Sequence, residues 1–298
     1  MKTDILGIKI DQLTQQQALA EIEKFLSLSG RHQIITANPE IVLESLTDGN
    51  YRKIINDSSM TVADGVGLLW AAKFLSLKSD SLITSIIQAF TCAISLIFQP
   101  RYCQEVLPER IAGVDLLEKI CELAGQKAWK IYLLGAGRGI AERTAMILKE
   151  RYLNLNIVGA SQGPTFKFPS PRLVGLGPTI SNFQFSNNLQ IPNKQFQNAI
   201  ADINQTKPEI LFVAFGSPKQ DFFISQVLNQ LPSVKLAMGV GGAFDFISGK
   251  TKRAPLIWRE LGLEWLHRFI YQPWRAIRIF NATLRFITYT IKVKRHLK

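Results

Sequence analysis

The sequence predicts an α/β protein whose sheet is mostly parallel and covered by helices on both faces. Three segments indicate this, because each runs from an apolar strand through a turn into an amphipathic helix, at residues 32–46, 129–160 and 208–228. Ligands of such sheets bind beyond the carboxyl ends of the strands. The residues that follow each strand are therefore the first candidates for a functional site.

The alternation of strand and helix begins at the N-terminus. ILGIKI (5–10) predicts one short strand, and LTQQQALAEIEKFLSL (13–28) predicts a helix. Thr14 and Gln17 stand in capping-box spacing, in which each side chain accepts from a backbone N–H of the other residue. We therefore expect the first helix to begin just after Thr14.

The next unit, HQIITANPEIVLESL (32–46), places polar residues at a strand end. Ile34 and Ile35 favour a strand, Asn38 is a good helix N-cap, and Pro39 is tolerated at the first helical position. Thr36 and Asn38 then lie at the carboxyl end of the strand, where ligand contacts are expected.

MTVADGVGLLWAAKFL (60–75) holds a single carboxylate, Asp64, in an apolar and glycine-rich run. Burying an unpaired carboxylate is costly, so Asp64 either finds partners at the end of an element or uses its position for chemistry. We expect it at the same sheet edge as Gly135, Gly216 and Gly241, which follow other predicted strands.

Two stretches interrupt the alternation. Residues 81–100 carry no charge, and their large apolar side chains recur at helical spacing, which favours an interfacial or partner-docked helix over a membrane span. Residues 168–192 are rich in Pro, Gly, Ser and Asn and predict a long surface loop. We predict a Rossmann-like catalytic domain at 1–245, with inserts at about 76–104 and about 168–192, and a basic C-terminal appendage at 246–298.

Basic charge is concentrated near the C-terminus. The formal net charge is +12, and from Lys250 onward twelve Lys and Arg stand against two acidic residues, a net charge of +10. Such asymmetry indicates nucleic acid, a phosphorylated substrate or an acidic membrane surface as partner. An apolar stripe with basic residues on its flank favours the membrane. The stripe is Ile277, Phe280, Leu284, Ile287 and Ile291, and the basic residues are Arg278, Arg285 and Lys292.

We expect neither a metal nor a cofactor. Cys92, Cys103 and Cys121 lack the paired spacing of a zinc site and read as reduced structural thiols, and the three histidines lie far apart. The sequence contains no Asp-x-Asp pair, which holds a divalent ion in many sugar-nucleotide enzymes. The N-terminal residues show no secretory signal, so the protein is expected to start in the cytosol.

GAGRG (135–139) is a candidate phosphate turn. It follows a strand and precedes a helix, so the backbone N–H groups of Gly135 and Gly137 can face an anion at the positive end of the helix. Ile140 stands where the dinucleotide motif has its third glycine, and an ordinary tight turn remains the alternative.

FGSPKQ (215–220) has the same placement after a strand. Gly216 permits close approach of a ligand, and Lys219 and Gln220 supply donors at the start of the next helix. The surroundings of a nucleophile elbow are missing, so a hydrolase is not indicated. An ordinary turn is again the alternative.

GVGGAFD (239–245) and ERIAGVDLL (109–117) complete the candidates. Gly241 and Gly242 let the backbone pass close to a base or ribose, and Asp245 accepts hydrogen bonds, although glycines also serve close packing. Arg110 precedes a glycine and a helix, and in isolation a solvated arginine is the favoured interpretation.

Seven motifs together resemble the TagA/CpsF/WecG family of bacterial glycosyltransferases. They are TANPE, ADGVGLLWAAK, ERIAGVDLL, LLGAG, GSPKQ, GVGGAFD and KRAPLIWRELGLEWLHRFIYQPWR, in that order. The resemblance covers nearly the whole chain except residues 81–104 and 168–192. It implies metal-independent, inverting transfer of an N-acetylated hexosamine, typically N-acetylmannosamine or its uronic acid, from a UDP donor to a polyprenyl-diphosphate-linked amino sugar at the cytoplasmic membrane face.

The resemblance also implies roles for particular residues. Asp64 matches the proposed general base, with Thr36 and Asn38 beside it, and Arg110 matches an arginine that contacts the diphosphate or supports catalysis.

The C-terminal segment is implied to dock on the membrane and to close over the site after a change from oligomer to monomer. Arg275, Arg278 and Arg285 are the tail residues expected to take part.

The chain departs from the family pattern in two places. After SQG many members continue with Tyr-Phe, whereas PTF follows here, which affects the pocket expected around Gln162 and Gly163. The apolar insert after Leu75 either adds a membrane contact or packs on a partner subunit. Two other classes remain as alternatives: a basic nucleic-acid-binding protein, and a nicotinamide enzyme, which the missing third glycine and ribose acid disfavour.

Overall fold

The computed structural model describes residues 1–79, 81–164, 194–260, 264–271 and 273–296, so the loop predicted at 168–192 lies outside the described residues. The strands are β1 (Lys2–Ile5), β2 (Ile8–Asp11), β3 (His32–Ala37), β4 (Met60–Ala63), β5 (Lys130–Gly135), β6 (Asn156–Ser161), β7 (Ile210–Ala214) and β8 (Leu236–Gly239). The helices before β5 are α1 (Gln15–Ser27), α2 (Pro39–Thr47), α3 (Gly49–Asp57), α4 (Val66–Ser76), α5 (Leu82–Phe98), α6 (Pro100–Cys103) and α7 (Gly113–Lys127). Those after it are α8 (Ile140–Arg151), α9 (Lys194–Thr206), α10 (Lys219–Val227), α11 (Ala243–Ile247), α12 (Leu256–Glu260), α13 (Glu264–Tyr271) and α14 (Pro273–His296).

A six-stranded sheet in the order β4-β3-β8-β7-β5-β6 forms the centre of the molecule. Every neighbouring pair in it is parallel. The predicted α/β class and the Rossmann-like arrangement are therefore confirmed. All six carboxyl ends meet at one edge, where ligands of such sheets bind.

Alternating side chains divide the core between the two faces of the sheet. Ile131 and Leu133 of β5 pack with α1, α7, α8 and α11, whereas Tyr132 and Leu134 pack with α9 and α10 on the opposite face. All four side chains are fully buried. Because a strand turns successive side chains to opposite faces, its continuous apolar run requires helices on both sides.

The single strand predicted at 5–10 is wrong. The segment is an antiparallel hairpin of β1 and β2 that forms its own two-stranded sheet. Leu6 and Gly7 make the turn with φ values of 57° and 87°, and the Gly7 N–H donates to Asp4 Oδ1 at 2.8 Å. Turns of this kind usually carry Asn-Gly or Asp-Gly. Because Leu6 stands in the first position here, the sequence does not show the usual pattern of a hairpin turn.

The predicted helix starts are confirmed. Thr14 Oγ1 accepts from the Gln17 N–H at 3.2 Å, and Gln17 Oε1 accepts from the Thr14 N–H at 2.9 Å, which completes the capping box of α1. Asn38 caps α2 by accepting from the Ile41 N–H at 3.0 Å, with Pro39 in the first turn. The cysteines are likewise buried free thiols, as expected.

The C-terminal helix α14 packs against α2, α4 and α5. The apolar stripe predicted to face a membrane is only partly exposed: Phe280 and Leu284 are exposed, whereas Ile287 and Ile291 pack on a buried cluster that includes Phe286. Two of the four stripe side chains that the structure describes therefore face protein, because α2, α4 and α5 cover this side of the helix. None of the described helices combines the length and apolar character needed to cross a bilayer.

Candidate functional site

Most predicted site residues follow the carboxyl ends of the parallel strands. Thr36 lies near the end of β3 and Asn38 follows it, Asp64 follows β4, Gly135 ends β5 and Gly137 follows it, Gly216 follows β7, and Gly241 and Gly242 follow β8. Because all strands of this sheet are parallel, these residues share one edge of the molecule.

Asp64 lies beside Asn38. The last paired residues of β3 and β4 are Ala37 and Ala63, and the Asp64 N–H donates to Ala37 O at 2.7 Å. The side chain of Asp64 is half-buried. A Cβ on Gly65 would stand 2.9 Å from Pro39 Cδ and 3.6 Å from Asn38 Cβ, so glycine is needed for the two turns to approach this closely.

Thr36 is buried behind this pair. Its hydroxyl donates to Gly239 O at 3.5 Å, and a Cβ on Gly113 would stand 3.2 Å from Thr36 Oγ1. Thr36 therefore lies where β3, β8 and the start of α7 meet. The structure thus places its hydroxyl in protein contacts, two residues before Asn38, which lies at the sheet edge.

Arg110 belongs to the same group. The N–H of the next residue, Ile111, donates to Ala63 O at 2.8 Å, which holds the segment before α7 against the end of β4. The guanidinium lies 3.7 Å from Glu264 Oε2 and donates to Arg259 O at 3.3 Å. The interpretation of Arg110 as a solvated side chain is therefore wrong, because the C-terminal segment covers it.

A second arginine joins α7 to the C-terminal segment. Arg253 donates to both carboxylate oxygens of Asp115, at 2.6 and 2.8 Å. Burial alone would raise the pKa of Asp115, but the hydrogen bonds and charge of Arg253 outweigh burial and hold the pKa below its usual range. Arg253 also lies 4.0 Å from Glu264, so arginines and carboxylates alternate beside Arg110.

The Gly135–Gly139 turn is shaped by its neighbours. A Cβ on Gly135 would stand 2.8 Å from the carbonyl carbon of Ala214, so the turn lies directly against the end of β7. Gly139, with a φ of 73°, precedes α8 and brings no side chain to its first amides. Those amides are suited to an anion.

Lys250 is a further candidate site residue, which sequence reasoning missed. Its ammonium lies 3.6 Å from the position of a Cβ on Gly137 and 3.0 Å from Asp245 Oδ1. It therefore links the turn after β5 to Asp245 of α11. In the sequence, Lys250 stands five residues after Asp245, and Asp245 follows the glycine turn after β8. This spacing was the signal that could have identified Lys250.

Gln220 joins two of the predicted turns. Its side chain is buried, and Gln220 Oε1 accepts from the Gly241 N–H at 2.9 Å. A Cβ on Gly239 would stand 2.5 Å from Gln220 Nε2. The side chain therefore positions the turn after β8 from inside the protein. Lys219, one residue earlier, is half-buried, and burial lowers its pKa.

Some predicted site residues do not join the group around Asp64. Gln162 follows β6, and β4 and β6 are the two outer strands of the sheet, so about five strand spacings, roughly 24 Å, separate these positions. The tail arginines are a separate case: Arg285 is exposed on α14, one residue before Phe286, and the side chains of Arg275 and Arg278 lie outside the described residues.

The C-terminal helix nevertheless reaches the turn that carries Asp64. A Cβ on Gly67 would stand 2.8 Å from Pro39 Cγ and 3.9 Å from Phe286 Cε1. Phe286 of α14 is buried at this point. Within the described ranges, no three His, Cys, Asp or Glu side chains are grouped as a metal site.

Comparison with known proteins supports an assignment to a family. The profile of the glycosyl transferase WecG/TagA/CpsF family matches residues 3–93 and 93–298. Two relatives from Staphylococcus aureus, strains MRSA252 and MW2, are 29% and 28% identical over 299 aligned positions, which cover 100% of this chain and 95% of theirs. Both are named N-acetylglucosaminyldiphosphoundecaprenol N-acetyl-beta-D-mannosaminyltransferase. The chain therefore belongs to the WecG/TagA/CpsF family of glycosyl transferases.

Proposed function

We propose that this protein transfers an N-acetylhexosamine of the N-acetylmannosamine type from a UDP donor to a polyprenyl-diphosphate-linked amino sugar. The names of the Staphylococcus aureus relatives support both the transferred sugar and the lipid-diphosphate acceptor. The product then enters assembly of a cell-surface polysaccharide or a polymer of the teichoic-acid type.

Asp64 is the general base of this proposal. The acceptor hydroxyl attacks the anomeric carbon and gives its proton to the Asp64 carboxylate, while the bond to UDP breaks and its electron pair leaves with the nucleotide. The placement of Asp64 at the carboxyl end of β4, beside Asn38 and the Arg110 segment, carries the assignment.

Fixed positive groups stabilise the departing diphosphate in this scheme. The first amides of α8, the Lys250 ammonium and Lys219 lie at the same sheet edge, but three to four strand spacings from Asp64, roughly 14–19 Å, so in this scheme they hold the nucleotide end of the donor and Arg110 is the cation beside Asp64. Arg110 is held by Glu264 and Arg259, so its use requires the diphosphate to compete with Glu264. No divalent ion is required in this scheme.

The acceptor places the reaction at a membrane. We propose a peripheral protein on the cytoplasmic face, with a catalytic domain at 1–245, a basic membrane-associating segment at 246–298, and a possible homo-oligomer. The net charge of +10 from Lys250 onward supports attraction to anionic lipid. Charge reversal at Arg278 and Arg285 should reduce both vesicle binding and turnover, and retention of both would contradict this part.

A UDP-release assay tests the reaction. Purified protein is screened across UDP-sugars with a short-chain lipid-diphosphate acceptor, with and without a chelator. We expect turnover with a UDP-N-acetylhexosamine that the chelator does not reduce and that Asp64→Asn lowers by about 10³-fold or more without unfolding the protein. Asp57→Asn, at an exposed aspartate of α3, is the matched control.

Other results would reject the proposal. Full turnover in Asp64→Asn would remove the general base. Salt-sensitive retention on DNA, with no UDP released from any sugar nucleotide, would favour a nucleic-acid-binding protein.

A further inference from the structure

Helix α5 exposes its apolar face and buries its polar one. Ser85, Ala89, Cys92 and Ser95 pack inward, with exposed fractions of 8% or less. The opposite face carries large apolar side chains whose exposed fractions run from 43% to 77%, namely Leu82, Ile83, Ile86, Ile87, Phe90, Ile94, Ile97 and Phe98. This arrangement is the reverse of a helix at the surface of a water-soluble protein.

Polar contacts hold α5 in this orientation. Trp70 Nε1 donates to Ala89 O at 3.0 Å, and the Ser85 hydroxyl lies 2.7 Å from that of Ser79. Gln88 Oε1 accepts from the ammonium of Lys294 on α14, at 2.7 Å. Turning the helix to bury its isoleucines would break these contacts, so the exposure follows from how α5 is attached to α4 and α14.

An exposed apolar face of this size requires an occupant. Monomeric soluble proteins rarely expose contiguous apolar patches beyond a few hundred Å². Complete burial of a Leu, Ile or Phe side chain contributes about 1.5–3 kcal/mol, so contact with an apolar medium would stabilise this face considerably.

We propose that the exposed face of α5 lies in the interfacial region of an anionic lipid bilayer. Residues 81–100 carry no charge, and the flanking sequence holds the basic residues Lys78 and Arg101 and the acids Asp80 and Glu105, so the positive excess near α5 comes from α14. Helix α14, which packs against α5, adds the exposed side chains of Arg285, Lys292 and Arg295. An apolar helix face with basic residues around it matches an acyl layer below anionic headgroups.

A second copy of the chain fits this face less well. Pairing two α5 faces would bring the basic residues around each of them close to those of the other copy. Like charges in such positions oppose association, whereas anionic lipid neutralises them. The charge pattern therefore selects the bilayer as the occupant.

The contact of α5 with a bilayer extends the proposed function, and the biological meaning of the contact rests on that function. Helix α4 begins two residues after Asp64, and Trp70, which holds α5, is the fifth residue of α4, about 6 Å along its axis from the first. A bilayer that accommodates α5 would thus keep a lipid-linked acceptor near the general base. Helix α5 lies outside the C-terminal segment at 246–298, so this contact is distinct from the C-terminal one.

Vesicle flotation tests the inference. The full chain is mixed with vesicles of phosphatidylglycerol and phosphatidylcholine, at low salt and at about 1 M salt, where the Debye length falls to about 3 Å and charge attraction is screened. We expect I83Q/I87Q/F90Q to lower the partition coefficient by about 10-fold or more and to abolish the binding that wild type retains at high salt. L28Q/M146Q/L153Q, at exposed apolar residues elsewhere, should bind as wild type does.

A fluorescent label reports insertion directly. The three native cysteines are buried, so Ile87→Cys introduces an accessible thiol for an environment-sensitive dye. We expect its emission to shift to the blue when vesicles are added, and the same dye at Met146→Cys not to shift. A blue shift without lipid, together with dimers that I83Q/I87Q/F90Q disperses, would overturn the inference in favour of self-association.

The inference and the proposed function fail in different ways. Vesicle binding that depends on α5, with no UDP released from any donor, would reject only the transfer reaction. Wild-type flotation by I83Q/I87Q/F90Q at both salt concentrations would reject only the bilayer contact. Turnover of that variant with a water-soluble acceptor should equal wild type, which shows that the variant is folded.

Discussion

The hydroxyl of Tyr51 donates a hydrogen bond to Asp221 Oδ2 at 2.8 Å, deep inside the protein. It also lies 2.7 Å from the Ser217 hydroxyl, so α3 is joined to the turn that precedes α10. Asp221 is only 1% exposed, and its Oδ1 has no hydrogen-bond partner among the described residues. Burial, only partly offset by the Tyr51 hydrogen bond, raises the pKa of Asp221 to about 7. The first turn of α10, which also carries Lys219 and Gln220, therefore contains a buried carboxyl whose pKa is raised.

Asp221 should make stability depend on pH between about 4 and about 7. Its raised pKa means that the folded protein keeps a proton which the unfolded chain has lost, so the free energy of unfolding falls as pH rises through this range. Asp221→Asn should remove this slope, a difference of up to roughly 4 kcal/mol between the two ends. Urea unfolding of both proteins from pH 4 to 8 measures it, and identical slopes would contradict the assignment.

Gly67 should not tolerate a side chain. A Cβ there would stand 2.8 Å from Pro39 Cγ, in a rigid ring, so Gly67→Ala should lower the free energy of unfolding by about 1–3 kcal/mol. It should also lower turnover, because the shift occurs one turn after Asp64. Gly49→Ala is the matched control, since its added Cβ meets nothing within 4 Å. Equal stability of the two variants in urea would show that α2 and α4 are less closely packed here.

Gln220 should act by positioning the turn after β8. In Gln220→Ala the Gly241 N–H loses its acceptor, and a buried hydrogen bond left unmade costs about 1–3 kcal/mol. We expect lower stability together with a several-fold higher KM for the sugar nucleotide. Gln226→Ala, at an exposed residue of the same helix, should change neither quantity. An unchanged KM with reduced stability would limit Gln220 to a role in folding.

Asp115 should hold the C-terminal segment through Arg253. The lowered pKa of Asp115 means that this attachment stabilises the protein above about pH 4 and is lost as pH falls through the folded value. Asp115→Asn should therefore speed tryptic cleavage at the exposed Lys250 and Lys252 several-fold at pH 8.

Glu118→Gln is the control for that experiment. Glu118 lies on the same helix and pairs with Arg151 at 2.6 Å, but both side chains are partly exposed, and such surface pairs contribute about 0.2–1 kcal/mol. The same cleavage rate in both variants would show that the Arg253 pair does not secure the segment.

Local sequence patterns predicted much of the fold and the position of the candidate site at the carboxyl edge of the sheet. The capping box of Thr14 and Gln17, the N-cap at Asn38 and the strand–turn–helix units depend on residues a few positions apart, so the sequence shows them directly. The parallel order then brings Asp64 and the glycine turns to one edge. The hairpin at Leu6 and Gly7 was missed, because its turn lacks the usual residues.

Helix α5 shows which features the sequence alone determined and which features only the tertiary structure decided. Periodicity alone shows which of its side chains share a face, because a helix repeats every 3.6 residues. The face that turns inward was decided by Trp70 and by Lys294, about 200 residues further on than Gln88. The pairs Arg110–Glu264, Gln220–Gly241 and Tyr51–Asp221 likewise join separate elements. No local pattern encodes such contacts, since they form only when distant segments pack and exclude water.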